Sequence, residues 1–264
     1  MFVTEPIEVW RVSLDECQFY ASGEWREMLS REEQSRADSF LVEDHRRDYV
    51  VAHLALRILL GRRLGVSPEQ VKFLEGSFAA SGMHGKSSGR SKPALMLGTT
   101  AVAALDPRSG NSPDLRFNLS HTRGSAVIGL ACGRELGVDI ERQRPMGDLD
   151  AIASSVMSAK ERMAWRTISE KDQECAFYRL WTRKEAYLKA IGLGLFRSLQ
   201  AVTVPVMAQA LDIGTLHMVE DAEGSGAWQV LDIGHSAEYA AAVCLEGAQE
   251  ARLMVSDLEW ADWV

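Results

Sequence analysis

A set of local signals occurs twice in this chain, at an offset near 128 residues, and that spacing restricts the folds open to it. Ser30-Arg31-Glu32-Glu33 and Ser158-Ala159-Lys160-Glu161 both read as capping boxes, in which Ser and Glu side chains satisfy the free amides of a helix start. A longer helical pattern follows each, over 44–63 and 172–191, and runs out at Leu64-Gly65 and Leu193-Gly194, where glycine can stop a helix. A β-like run comes next in each case, Val71-Lys72-Phe73 and Val202-Thr203-Val204. Another precedes each box, Ile7 to Leu14 and Leu136 to Glu141. Apolar stretches at Ser125 to Cys132 and Tyr239 to Leu245 lie shortly after His121 and His235. The repetition predicts an α+β fold of two similar halves related by pseudo-twofold symmetry, each a small antiparallel sheet packed with helices. The border falls near Gly133, giving halves 1–133 and 134–264, with a ligand cleft expected between them. Residues 79–92 and 106–114, small and polar, read as loops.

Composition narrows the function classes. A net charge of −8 over 264 residues argues against general nucleic-acid binding, which depends on Lys and Arg neutralising phosphates. Cys17, Cys132, Cys175 and Cys244 form no CxxC pair, so zinc and disulfide readings are poor and thiols in a reducing compartment fit better. No run approaches membrane-spanning length and the amino terminus has no basic stretch leading into an apolar one. A cytoplasmic protein with no membrane partner is the expectation.

The chemistry concentrates in two stretches of the second half. In a strand over Leu136 to Glu141, Asp139 and Glu141 point to one face while Val138 and Ile140 point to the other. Two like charges that close repel, and a shared proton or a bound cation relieves them. An oxygen-only carboxylate set suits a hard ion such as magnesium, which in turn suits phosphate chemistry. The alternative is the outward face of an edge strand. Further on, a helical wheel over 173–191 gives an apolar stripe of Phe177, Leu180, Trp181, Leu188 and Ile191. Lys184 falls inside that stripe, where an ammonium needs an anion or a route to water. Glu185 and Lys189 run along its edge, either as an i,i+4 surface pair or as the border of a cleft.

Asn118-Leu119-Ser120-His121 precedes a tight Thr122-Arg123-Gly124 turn, and its polar side chains could grip phosphate oxygens. A Ser120–His121–Asp139 hydrolase triad is hard to build, because adjacent Ser and His do not orient toward each other and no Gly-x-Ser-x-Gly elbow is present. Gly85-Lys86-Ser87 is not a Walker motif, since its upstream glycine is misplaced.

Taken in order, three blocks resemble the signature of the surfactin-type 4′-phosphopantetheinyl transferases, in the Trp/Lys-Glu-Ala subtype. They are Phe117 to His121, then Gly137 to Glu141, then Trp181-x-x-Lys184-Glu185-Ala186-x-x-Lys189-Ala190-x-Gly192. Leu29-Ser30, Arg36-Ala37 through Phe40 and the Arg46-Arg47 helix are similar to that family as well, so the resemblance covers about residues 25–195. It implies transfer of phosphopantetheine from coenzyme A to a serine of an apo acyl or peptidyl carrier protein, using magnesium. Asp139, Glu141 and Glu185 would hold the metal. Arg47 and His121 would contact the 3′-phosphate end of coenzyme A, with Asn118 and Ser120 nearby. Lys92, Pro93, Asp139 and Lys184 complete the coenzyme A set, although Ser91-Lys92-Pro93 stands where the family has Gly-Lys-Pro or Gly-Arg-Pro. Lys189 would neutralise the pyrophosphate, and Glu185, directly or through water, would deprotonate the carrier serine. The resemblance makes the first half the nucleotide side and the second the metal and catalytic side. The carrier would dock on 144–165, and the duplication implies a monomer. A non-catalytic coenzyme A or nucleotide-binding module, and a magnesium-dependent phosphohydrolase, are the competing readings.

Overall fold

The computed structural model describes residues 6–73, 114–192, 198–207, 217–221, 224, 226–234, 236–247 and 252–263. They form two compact units, 1–133 together with 254–264, and 134–253. Lys92, Pro93, Gly194, His235 and the segments 79–92 and 106–113 lie outside the described residues.

In chain order the first unit contains β1 (Ile7–Ser13), α1 (Gln18–Ser22), α2 (Trp25–Met28), α3 (Arg31–Asp38), α4 (Glu43–Leu64), β2 (Leu115–Thr122) and β3 (Ser125–Cys132). The second contains β4 (Leu136–Arg142), α5 (Leu149–Val156), α6 (Ala159–Trp165), α7 (Glu170–Ile191), β5 (Val202–Thr203), β6 (His217–Met218), β7 (Glu220–Asp221), β8 (Trp228–Asp232) and β9 (Tyr239–Glu246). The last strand, β10 (Leu253–Leu258), returns to the first unit as the sheet edge beside β1. The division at 133 expected from the sequence therefore needs one correction: the carboxy-terminal strand belongs with the first half, because β1 offers it an open edge.

Each unit repeats one pattern. The first sheet runs β10-β1-β3-β2 and the second β4-β9-β8-β6, so the order β1-β3-β2 has its counterpart in β4-β9-β8. Both units carry a helix of 22 residues, α4 and α7, preceded by a short capped helix. Both capping boxes are formed: Ser30 and Glu33 close the start of α3, and Ser158 and Glu161 close the start of α6. Both long helices stop on a left-handed glycine, Gly65 at φ 68° and Gly192 at φ 72°. The second helix thus ends at Ile191, one residue before Gly192 rather than at Leu193-Gly194. Val71-Lys72-Phe73 carries an isolated bridge at Phe73 and not a strand.

The capping glutamates also explain how the long helices bury a cation. Glu33 accepts from Arg57 Nη2 at 2.6 Å and from His53 Nδ1 at 3.0 Å, all three residues buried. Arg57 spends its remaining nitrogen on the carbonyls of Pro68 and Val71, beyond the helix end. In the second unit Glu161 pairs with Lys184 at 2.6 Å, and Lys184 donates to the carbonyls of Leu199 and Val202. One carboxylate therefore caps a short helix, anchors the long one and, through the long helix's cation, ties down the chain that follows. Around these pairs lie two apolar cores, one of α4 with Val12, Leu115, Phe117 and Ile128, the other of α7 with Val230, Ala242 and Cys244. Among the described residues no helix is long and apolar enough to cross a membrane.

Candidate active site

β4 and α7 approach each other unusually closely, and Gly137 is the cause. A Cβ at position 137 would run into the Ala186 carbonyl oxygen and the Ala190 amide nitrogen, well inside van der Waals contact. The absence of a side chain lets the helix backbone sit on the strand. Strand periodicity then turns the next residues of that face, Asp139 and Glu141, toward the same helix. Val138 and Ile140 face the other way and are buried.

Polar contacts descend along α7 against β4 in antiparallel sense. Lys189 Nζ donates to Asp139 Oδ1 at 2.6 Å, with Asp139 only 3% exposed. One turn back stands Glu185, and a further turn back the Trp181 indole donates to the Glu141 carboxylate. At the strand exit, the Tyr178 hydroxyl donates to the Arg144 carbonyl at 3.1 Å and accepts from its amide at 3.3 Å. Burial and then the Asp139 charge push the Glu185 carboxyl up to about 7, against the opposing pull of Lys189. Burial, then Asp139, raise Glu141 to about 7 as well, with Glu185 adding to the rise. Three carboxylates therefore share one partly enclosed face, and the Asp139 charge makes Glu141 and Glu185 harder to ionise.

The arrangement is not a closed cage. Among the described residues no group of three or more Asp, Glu, His or Cys side chains is gathered so as to hold a metal ion. Asp139, Glu141 and Glu185 share the face without closing on one point, and Lys189 takes one Asp139 oxygen. Two observations still fit a hard divalent cation. The donors are all carboxylate oxygens, and Glu185 Oε1 is buried without a hydrogen-bond partner, an acceptor that a cation would satisfy.

Lys184 has a different role from the one expected of it. Its side chain is 0% exposed and ringed by Glu161 and the carbonyls of Val156, Leu199 and Val202, all within 2.8 Å. The anion that an ammonium in an apolar stripe requires is Glu161, and no donor remains for coenzyme A. The i,i+4 surface pair of Glu185 and Lys189 also gives way, since Lys189 reaches across to the strand.

In the first unit, Arg47 lies near the start of α4, and the turn after β2 is fastened there. Arg123 Nη2 pairs with Asp44 at 2.8 Å, and the Gly124 amide donates to Asp48 at 3.4 Å. His121, next to last in β2, lies on the same face as Phe117 and Leu119, the core side of the sheet. Asn118 and Ser120 alternate to the opposite face, which separates them from His121 and rules out a Ser120–His121 dyad. Sequence reasoning missed Gly137 as a contact point, Trp181 as a donor to Glu141, and the acids around Arg47. Only Gly137 left a signal, as a glycine inside an apolar strand.

Residues 135–244, which hold β4, α7 and the three carboxylates, match the 4′-phosphopantetheinyl transferase superfamily (ACPS). The chain is 33% identical over 193 residues to the 4′-phosphopantetheinyl transferase HetI of Nostoc sp., spanning 73% of this chain and 71% of HetI. It is 33% identical over 139 residues to the 4′-phosphopantetheinyl transferase AcpT of Salmonella typhi, covering 53% of this chain and 57% of AcpT. Among solved structures, a holo-(acyl-carrier-protein) synthase from Bacillus anthracis in complex with CoA (3′,5′-ADP) matches 43% of this chain and 96% of its own, at 22% identity. Its TM-score of 0.34 is too low to build on. On the sequence matches, the chain belongs to the 4′-phosphopantetheinyl transferase superfamily.

Proposed function

A 4′-phosphopantetheinyl transferase modifies carrier proteins, and we propose that this one works through the β4–α7 face, with coenzyme A as donor and an apo acyl or peptidyl carrier protein as acceptor. The observation that carries the reading is the convergence on that face of Asp139, Glu141, Glu185 and Lys189, with Lys189 held by Asp139. Asp139, Glu141 and Glu185 would hold magnesium, which supplies charge neutralisation at the pyrophosphate when bound. Lys189 supplies a further positive charge to the pyrophosphate oxygens. Glu185, directly or through a water, takes the proton of the carrier serine hydroxyl. A carboxyl poised near 7 is suited to that exchange near neutral pH. The serine oxygen bonds to the phosphorus of the phosphopantetheine phosphate, and the bond to adenosine 3′,5′-bisphosphate breaks. The nucleophile belongs to the partner.

Arg47 and His121 are assigned to the 3′-phosphate end of coenzyme A, with Asn118, Ser120, Lys92 and Pro93 as further contacts, while Lys184 drops out. For the carrier we assign α5 and α6, where Ile152 and Met163 are exposed apolar residues. We also read the two units as copies of one duplicated half and the chain as a monomer. The repeated capping-glutamate pair, Glu33–Arg57 and Glu161–Lys184, supports the duplication.

Incubating the protein with coenzyme A and magnesium, with and without apo carrier, separates the readings by mass spectrometry. Gain of phosphopantetheine on the carrier supports transfer, hydrolysis of coenzyme A without carrier means a phosphohydrolase, and neither means a binding module. Asp139→Ala should abolish transfer with the fold retained. Lys189→Ala should lower turnover at least about tenfold, and by as much as about 10²–10³-fold if it acts like other donors to a developing anion.

A further inference from the structure

Three acids lie within 4 Å of the Arg47 guanidinium, two of them at Nη2. Its guanidinium lies 2.7 Å from Asp15 Oδ1, 3.6 Å from Asp48 Oδ1 and 3.9 Å from Asp44 Oδ1. Only the first is short enough for a hydrogen bond; the other two are ion pairs at longer range. The three acids differ in setting. Asp48 has a side chain only 5% exposed and also accepts from the Gly124 amide, while Asp44 is shared with Arg123. Asp15 lies in the connection between β1 and α1, outside any element, and its side chain is 61% exposed. The tightest contact is therefore made by the most solvated and least anchored acid.

We propose that Asp15 is a placeholder for an anionic ligand group on Arg47, occupying the guanidinium until a phosphate displaces it, and so sets the affinity for the 3′-phosphate of coenzyme A. This rests on the assignment of Arg47 to that phosphate. The division of labour follows from burial. Asp48, fixed between Arg47 and the turn after β2, aims the arginine and cannot leave. Asp15 can swing into water at little cost, because an exposed ion pair is worth only a few tenths to about 1 kcal/mol. A phosphate carries more charge than a carboxylate and presents several acceptor oxygens to the guanidinium fork, so it wins the exchange. With Asp15 in place, part of the binding energy goes into that displacement. A ligand lacking the 3′-phosphate never meets the competition.

The test is calorimetric and needs no turnover, since transfer cannot proceed without a carrier. Affinities for coenzyme A and for 3′-dephospho-coenzyme A are measured on the full chain as wild type, Asp15→Asn and Arg47→Ala. Asp15→Asn should tighten coenzyme A by about two- to fivefold, the scale of an exposed ion pair, and leave 3′-dephospho-coenzyme A unchanged. Arg47→Ala should weaken coenzyme A and erase the difference between the two ligands. If Arg47→Ala erases that difference but Asp15→Asn is neutral or weakens binding, Asp15 aims the arginine and the placeholder is wrong. If Arg47→Ala leaves the difference intact, the assignment of Arg47 to the 3′-phosphate fails and the placeholder falls with it. Asp15 is exposed and outside any helix or strand, so its substitution leaves the fold intact; equal melting temperatures check this.

Discussion

The same structural position is apolar in one unit and acidic in the other. On the core-facing side of β1 stand Trp10 and Val12; at the matching places on β4 stand Asp139 and Glu141. After the buried Arg57 of α4 comes Ile58, and after the buried Lys184 of α7 comes Glu185. The shared skeleton is the capping glutamate, the buried base and the left-handed glycine, and it stands in both units whatever occupies those positions. Apolar residues there contribute to the first unit's core. Glu141 and Glu185 in the second cost folding free energy, because burial and the Asp139 charge work against their ionised forms. Residues that a scaffold can do without and that work against its stability are the ones to credit to chemistry.

The largest effects should come from the shared skeleton. Lys184→Ala leaves Glu161 buried beside no cation, and Arg57→Ala leaves Glu33 with His53 in place of the arginine; each should cost about 3–5 kcal/mol in urea unfolding. Pairing Lys184→Met with Glu161→Gln removes both charges, keeps the helix cap and should recover most of the loss. His53 also bonds Glu33 and has no counterpart at Glu161, so Arg57→Ala should be the milder of the two. Equal losses would mean that His53 contributes nothing to the pair, and a harmless Lys184→Ala would break the equivalence of the units.

A smaller effect separates the strands. Gly137→Ala forces a methyl group against the backbone of α7 and should cost about 1–3 kcal/mol, as overpacking does. The same face of β1 carries Glu8 at the matching position, joined to Arg63 at 3.8 Å, and Glu8→Ala should change stability by no more than about 0.5 kcal/mol. Turnover should fall with Gly137→Ala beyond what unfolding explains, since Asp139 and Lys189 move apart. A neutral Gly137→Ala would show that the strand and helix adjust freely.

What the sequence disclosed was the part written in local pattern. Ser-x-x-Glu boxes, helical periodicity and terminal glycines act over a few residues, and they located both long helices to within two residues at every end. The alternation of Asp139 and Glu141 was legible for the same reason. Partners across the fold were not. Lys184 in an apolar stripe announced a need for an anion, yet whether that anion was Glu161 or a substrate phosphate depended on how α6 packs against α7. Lys189 was read against Glu185 because they are neighbours on the helix, while its observed partner is 50 residues away. The placement of β10 depended on which sheet had an open edge, a property no window of sequence contains.

The least of the expected effects tests whether the acids are indeed a burden. Glu141 and Glu185 are raised from an ordinary carboxylate value of 4.5 to about 7. A raised carboxyl binds its proton more tightly when folded, so its contribution to stability is fully present below about 4.5 and is lost as pH rises through about 7. Glu33 behaves in the opposite sense. Burial alone would raise it, but the His53 bond and charge and the Arg57 contacts outweigh that and hold it at about 2, so its contribution is present above 4.5 and is lost as pH falls toward 2. Glu141→Gln and Glu185→Gln, with a chelator present, should therefore stabilise the protein at pH 8 by on the order of 1 kcal/mol each, discounted for partial exposure. At pH 5 the wild-type carboxyls are largely protonated and the gain should nearly vanish. Glu33→Gln should show no such gain at pH 8 and should destabilise instead. If the two active-face variants lose stability at pH 8, the acids of the second unit support the fold as Glu33 does, and the contrast between the units disappears.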